Sequence, residues 1–219
     1  MWFRGNVTRR PPASDSTLED SDISIDHAII ADLDDAAGTL AAAFDAYPWT
    51  RWSIPEDGYR ERLHRLQRMY LGYAFDHGVV LVTTDRCGVI ALLPPDVPEP
   101  DGQFQAEAAA LHGDRLAAVA RAETPAHPAG AWNLATLGVH PDRQGKGLGS
   151  ALVRAGLAAV DDRTPPPGAC VALETSDDRN VMIYERRGFV VTATTPVDTG
   201  LVVHSMLRDP DGGGLSATV

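Results

Sequence analysis

A chain of 219 residues with 44% hydrophobic and 22% charged residues holds enough apolar material for one sizeable core and is short for two. Its 19 Lys and Arg against 30 Asp and Glu leave a formal net charge of −11, which repels a phosphate backbone and argues against nucleic acid as a partner. No run approaches the ~20 apolar residues that span a bilayer, and Arg9-Arg10 is followed by Pro11-Pro12-Ala13-Ser14-Asp15 where an export signal needs an apolar segment. A cytoplasmic protein with no membrane association is expected.

Residues 1–22 are rich in Ser, Asp, Thr, Pro and Arg and read as a disordered leader, with a working domain over 23–208 and a flexible tail over 209–219. Ile23, Ile25 and His27 alternate with polar neighbours as a short strand does. Asp32 is placed to cap a helix whose apolar stripe is Leu33, Ala36, Ala37, Leu40, Ala41 and Phe44, with Pro48 as its end. A second helix over about 57–76 sets Tyr59, Leu63, Leu66, Tyr70 and Tyr73 on one face. The β-rich runs 79–84 and 88–93, joined by Asp85-Arg86-Cys87-Gly88, read as a hairpin, and an Ala-rich third helix is expected over 103–122. After Trp132 the order is strand (131–139), Gly-rich turn, helix (147–160), strand (170–175), short helix (179–187) and a strand pair (188–195, 201–207). That hairpin, 188–207, offers an edge on which a homodimer could pair.

Cys87 and Cys170 lie far apart, and no two of the seven histidines have ligand spacing, so two buried thiols and no metal site are expected. The segment that carries chemistry is Leu137-Gly138-Val139-His140-Pro141-Asp142-Arg143-Gln144-Gly145-Lys146-Gly147-Leu148-Gly149-Ser150, between a strand and an amphipathic helix. Its glycines let a ligand approach the backbone, and the helix start presents unpaired N–H groups and a positive dipole end, a seat for a pyrophosphate. Arg143 and Lys146 add positive charge in an otherwise acidic chain. A Walker loop is excluded because Lys146 is followed by Gly147 rather than Ser or Thr. A dinucleotide fingerprint fits poorly, since Gly145-Lys146-Gly147-Leu148-Gly149 brings the last glycine one residue early. A glycine-rich turn with no ligand is the plain structural reading of such a segment taken alone.

Gln144-Gly145-Lys146-Gly147-Leu148-Gly149 resembles the coenzyme A signature of the GNAT acetyltransferase superfamily, and Leu173-Glu174-Thr175-Ser176, Asn180 and Tyr184-Glu185-Arg186-Arg187-Gly188-Phe189 resemble its later motif. Ala135-Thr136-Leu137-Gly138-Val139 and Leu173-Glu174-Thr175-Ser176, with Phe44, Tyr47, Pro48, Thr50 and Arg51, are similar to the puromycin N-acetyltransferase branch, so the likeness spans most of 30–208. The resemblance implies an α/β fold with a mixed central sheet splayed between its fourth and fifth strands and flanked by helices. It implies acetyl-CoA as co-substrate, with no metal, and direct transfer to a small-molecule amine of antibiotic or specialised-metabolite type.

On that likeness, the pantetheine arm would lie in the splay against backbone at Leu137 and Val139. Arg143, Gln144, Gly145, Lys146, Gly147, Leu148, Gly149, Ser150, Asn180 and Tyr184 would contribute to coenzyme A binding. Tyr184 is then the candidate proton donor to the coenzyme A sulfur, and Glu174, at the end of the second splayed strand, the candidate base or a structural hydrogen-bond acceptor. Tyr47, Trp49 and Trp52 gather aromatic surface for the amine, with Trp49 and Trp52 in a loop before Pro55; ordinary core packing is the alternative for such residues. Protein or peptide amines as acceptors, a non-catalytic acyl-CoA sensor and a nicotinamide oxidoreductase complete the set of readings.

Overall fold

Two strands buried along their whole length organise the molecule. In the computed structural model, which describes residues 24–165, 168–198 and 200–210, β2 (Val79–Thr83) and β3 (Gly88–Leu93) are buried at every position. Such uninterrupted burial requires cover on both faces of a sheet. Val80, Val82, Val89 and Ala91 pack with Leu33, Leu40 and Phe44 of helix α1 (Leu33–Phe44) and with Leu63 and Leu66 of α3 (Tyr59–His77). The alternate residues Val79, Leu81, Ile90 and Leu92 pack on the opposite face with Leu152, Val153, Leu157 and Val160 of α6 (Leu148–Asp161). The period of two along each strand thus divides the core into two layers.

The seven-stranded sheet also contains β1 (Ile25–His27), β4 (Trp132–Val139), β5 (Val171–Thr175), β6 (Phe189–Asp198) and β7 (Leu201–Arg208), in the order β1-β2-β3-β4-β5-β7-β6. β4 and β5 run parallel and all other neighbours antiparallel, so the mixed sheet expected from the sequence is the one observed. The parallel pair holds only at Trp132↔Val171 and Asn133↔Ala172. The register of β4 against β3 supplies a cause: Leu92 faces Leu134 while Ala91 faces Thr136, leaving Ala135 as an extra residue. A bulge of this kind bends its strand and ends pairing nearby, and here it lies two residues beyond the last β4–β5 pair.

Several expectations are corrected. Pro48 does not close α1 into a loop; it opens a second short helix, α2 (Pro48–Ser53), at the first helical position, where a missing N–H costs nothing. Trp49 and Trp52 therefore lie on a helix. Asp32 does not cap α1, because its own backbone is already helical; its carboxylate accepts from Ile29 N–H (2.9 Å) and pairs with Arg86 (2.7 Å). The third helix breaks at Gly113 (φ 51°) into α4 (Gly102–His112) and α5 (Leu116–Arg121), joined by a 3-10 turn. Cys87 and Cys170 are free but only half-buried. The helix expected over 179–187 is α7 (Asp178–Glu185).

β6 forms one edge of the sheet and exposes Val190 and Val191. Among the described residues no helix is long and apolar enough to cross a membrane. The expected leader 1–22 and the tail from 211 onward lie outside the described residues.

Candidate active site

The site grows from the end of β4. His140 N–H donates to Cys87 C=O at 2.8 Å, which fixes the phase of the β3–β4 ladder. By alternation, main-chain groups of Leu137 and Val139 point away from β3, toward the gap left by β5. Val139 C=O accepts from the Gln144 side chain at 2.9 Å, on that same side. The side chains of Leu137 and Val139 are buried in the α6 layer, so these two residues offer backbone alone to the gap. On the other face Gly138 lets α1 close on the strand, since a Cβ there would sit 2.6 Å from Leu40 Cδ2.

Beyond β4 the chain makes a 3-10 turn (Pro141–Arg143) and passes through Gly145 and Gly147 at φ 81° and 83°. These left-handed conformations are strained for any residue with a Cβ. Gly147 is the N-cap of α6, and no side chain caps the helix and no acid lies in its first turn. The first N–H groups of a fourteen-residue helix are thus left to an incoming anion.

A cleft of about 410 Å³ opens at this point. Its lining takes in Val139 and the expected Arg143, Gln144, Gly145, Gly147, Leu148, Gly149 and Ser150. Lys146 is exposed and does not line it. The opposite wall is a face of α7 that sequence reasoning missed: Arg179, Met182, Ile183 and Arg186. Their spacing of three, four and seven is that of one helical face, and this pattern was the signal available. Arg143 pairs with Asp85 of the β2–β3 turn at 2.7 Å. Burial pushes the Asp85 carboxyl up, but hydrogen bonds from Thr83 and Cys87 and the charge of Arg143 outweigh it and hold the group below the usual value.

Asn180 and Tyr184 lie deeper. Asn180 is buried and donates through Nδ2 to Thr175 Oγ1 (3.3 Å). The Tyr47 hydroxyl accepts from Ser176 N–H (2.8 Å) and bonds Thr175 Oγ1 (3.2 Å), tying the α1–α2 connection to the end of β5. Tyr184 is 1% exposed, with its ring 5.6 Å from that of Phe189. Burial first, and the neighbouring Tyr47 second, push its phenol well above the ordinary value. The group is therefore protonated throughout the neutral range.

A second cavity, of about 500 Å³, is bordered by Asn133 and Leu134 of β4, Glu174 of β5 and the 120–127 segment that carries Glu123 and His127. Glu174 is half-buried and faces it. Tyr47, Trp49 and Trp52 do not line this cavity. Tyr47 and Trp49 are 0% and 3% exposed, the Trp49 ring packs tilted against that of Trp52 with centroids 5.0 Å apart, and Trp52 Nε1–H donates to Asp198 Oδ2 (2.7 Å) on the β6–β7 hairpin. Among the described residues no group of three or more His, Cys, Asp or Glu side chains is placed to hold a metal ion.

The family model described as acetyltransferase (GNAT) domain matches residues 104–191, the span from α4 to β6 that includes the glycine turn, Glu174 and Tyr184. Among solved structures the chain is similar to a protein from Corynebacterium glutamicum described as histone acetyltransferase HPA2 and related acetyltransferase. The identity is 25% over 86% of this chain and 96% of that one, with a TM-score of 0.66. The ribosomal-protein-S18-alanine N-acetyltransferase of Escherichia coli (16% identity, 85% and 92% covered, TM-score 0.51) and an agmatine N-acetyltransferase (16%, 85% and 99%, 0.52) share the fold. The match to the GNAT acetyltransferase domain thus covers residues 104–191, and the fold around it is that of these acetyltransferases. The chain is, by class, an N-acetyltransferase.

Proposed function

We propose that the protein transfers the acetyl group of acetyl-CoA directly to the amine of a small molecule, of antibiotic or specialised-metabolite type. The observation that carries this reading is the coincidence of an uncapped helix N-terminus at Gly147 with a β4–β5 gap that begins just past Asn133↔Ala172. The helix start suits a pyrophosphate, and the free edge of β4 at Leu137 and Val139 suits the amides of an extended arm. Acetyl-CoA, when bound, supplies an activated acyl carbonyl and a thiolate leaving group.

The chain's own residues then have separable tasks. Glu174, at the mouth of the second cavity, takes the proton that an ammonium must lose before its nitrogen can form the new C–N bond. Tyr184, held protonated, donates toward the sulfur as the C–S bond breaks. Asn180 and Tyr47 hold the end of β5 and the start of α7 in register through Thr175 and Ser176. A cavity of about 500 Å³ lies within the range of small-molecule sites, which favours a compact acceptor over a folded protein surface.

The test is to incubate the protein with acetyl-CoA and a panel of small amines, puromycin included, alongside peptides, following coenzyme A release and product mass. An acetylated small amine is the expected result. Acetylation of peptides alone would move the acceptor to a protein amine, and binding of coenzyme A without any product would favour an acyl-CoA sensor. Absence of coenzyme A binding would overturn the reading.

A further inference from the structure

Three arginines face the donor cleft, and they are not equivalent. Arg143 is paired with Asp85 at 2.7 Å. Arg179 is held by both oxygens of Asp177, through Nε to Oδ1 (3.0 Å) and Nη2 to Oδ2 (2.6 Å). Arg186, the C-cap of α7, is exposed, lines the cleft and makes no ion pair among the described residues. Between Arg179 and Arg186 on the same helical face stand Met182, 53% exposed, and Ile183. The wall opposite the glycine turn is thus a cation engaged by the protein, an apolar step, and a cation left available.

Resting on the acetyl-CoA reading, we infer that Arg186 recognises the 3′-phosphate of coenzyme A and makes the enzyme selective for the phosphorylated donor over its dephospho form. The nucleotide carries two phosphoryl groups on one ribose. The 5′-pyrophosphate has its seat at the N-terminus of α6, which leaves the 3′-monoester, with close to two negative charges at neutral pH, in need of a separate partner. A guanidinium is always charged and its forked donors match a phosphate, and the apolar step at Met182 and Ile183 suits the base attached to the same sugar. The C-terminal end of α7 is the negative end of its dipole, so an anion there depends on the guanidinium. Lys146 lies outside the lining of the cleft.

The experiment compares acetyl-CoA with the acetyl thioester of 3′-dephospho-coenzyme A as donors, for the full chain and for Arg186→Gln and Arg186→Lys. In the unaltered protein the dephospho donor should show a KM about tenfold higher, the scale of one charge-assisted contact. In Arg186→Gln the ratio of the two KM values should fall toward one, through a rise for acetyl-CoA, and Arg186→Lys should restore part of it. Equal KM values in the unaltered protein, or a ratio unchanged in Arg186→Gln, would overturn the inference, because a merely structural role raises both values together. Failure of the unaltered protein to bind either donor would instead bring down the acetyl-CoA reading on which the inference rests.

Discussion

The two cavities that border β4 are built from opposite materials. The donor cleft is made of backbone and cations: two glycines at positive φ, a helix end without a cap, and three arginines. The acceptor cavity is made of side chains from the segment between α5 and β4, with Glu123 and Glu174 as its carboxylates and no Lys or Arg in its lining. Backbone geometry has to be encoded by particular residue types at particular spacings, so a cleft of the first kind leaves a motif. A cavity shaped by a loop leaves composition only. On the proposed function the contrast also separates tasks, since a cleft lined by arginines suits an anionic donor and a carboxylate-bordered cavity a cationic acceptor.

That contrast can be broken at several points. The largest effect is expected for Trp49→Ala, which should destabilise the fold by ~3–5 kcal/mol in denaturant titrations, because the residue packs in the core beside Trp52. An unchanged midpoint with a raised acceptor KM would return Trp49 to the acceptor surface. Tyr184→Phe should lower kcat about 100-fold while the donor KM stays within about twofold, the signature of a lost proton donor rather than a lost contact. Retention of the turnover number would remove that role. For Glu174→Gln a fall of about tenfold in kcat/KM at neutral pH is expected, together with loss of the acidic limb of the pH–rate profile. An unshifted profile would mark Glu174 as a structural acceptor.

The smallest effect concerns the contact between α4 and α2. His112 at the end of α4 is buried, with Nδ1 2.8 Å from Ser53 C=O of α2, and burial holds its imidazole below the usual pKa although that hydrogen bond acts in the other direction. The unfolded chain takes up the proton near pH ~6.5 while the folded one resists it, so stability should fall as pH drops below that value. The slope should be at most ~1.4 kcal/mol per pH unit. Denaturant midpoints from pH 7.5 to 5.5 measure it, and the same slope in His112→Gln would assign the acid sensitivity elsewhere.

How much of this was legible in the chain follows the same division. The hairpin of β2 and β3, the long α3, and the β4–turn–α6 unit show in hydrophobic period and turn residues, and the structure places them within a few residues of expectation. The glycine turn was readable because positive φ selects glycine. Trp49 and Trp52 misled because Pro48 permits two local readings, a helix stop or a first helical residue, and only packing against the hairpin through Asp198 decides between them. The break at Gly113 was masked by flanking alanines that favour helix on either side. The spacing of Arg179, Met182, Ile183 and Arg186 marks one helical face, but that this face lies across from the glycine turn, some thirty to forty residues earlier in the chain, depends on where α7 sits and not on the spacing.

The extra residue at Ala135 puts the opening in the sheet under the control of chain length rather than chemistry. No side chain there has to be of a particular kind for the strand to swerve, so substitutions along β4 can drift while the opening persists. Removal of a single residue between Leu134 and Thr136 is another matter. It would make the pairing with β3 continuous, Leu134 and Thr136 then following Leu92 and Ala91 without an extra residue, while Leu137 and Val139 stay toward α6 and Gly138 toward α1. A one-codon deletion would thereby take away the bend that parts β4 from β5 while leaving the glycine turn in register with β3, an effect on the opening that no replacement within the turn itself would have.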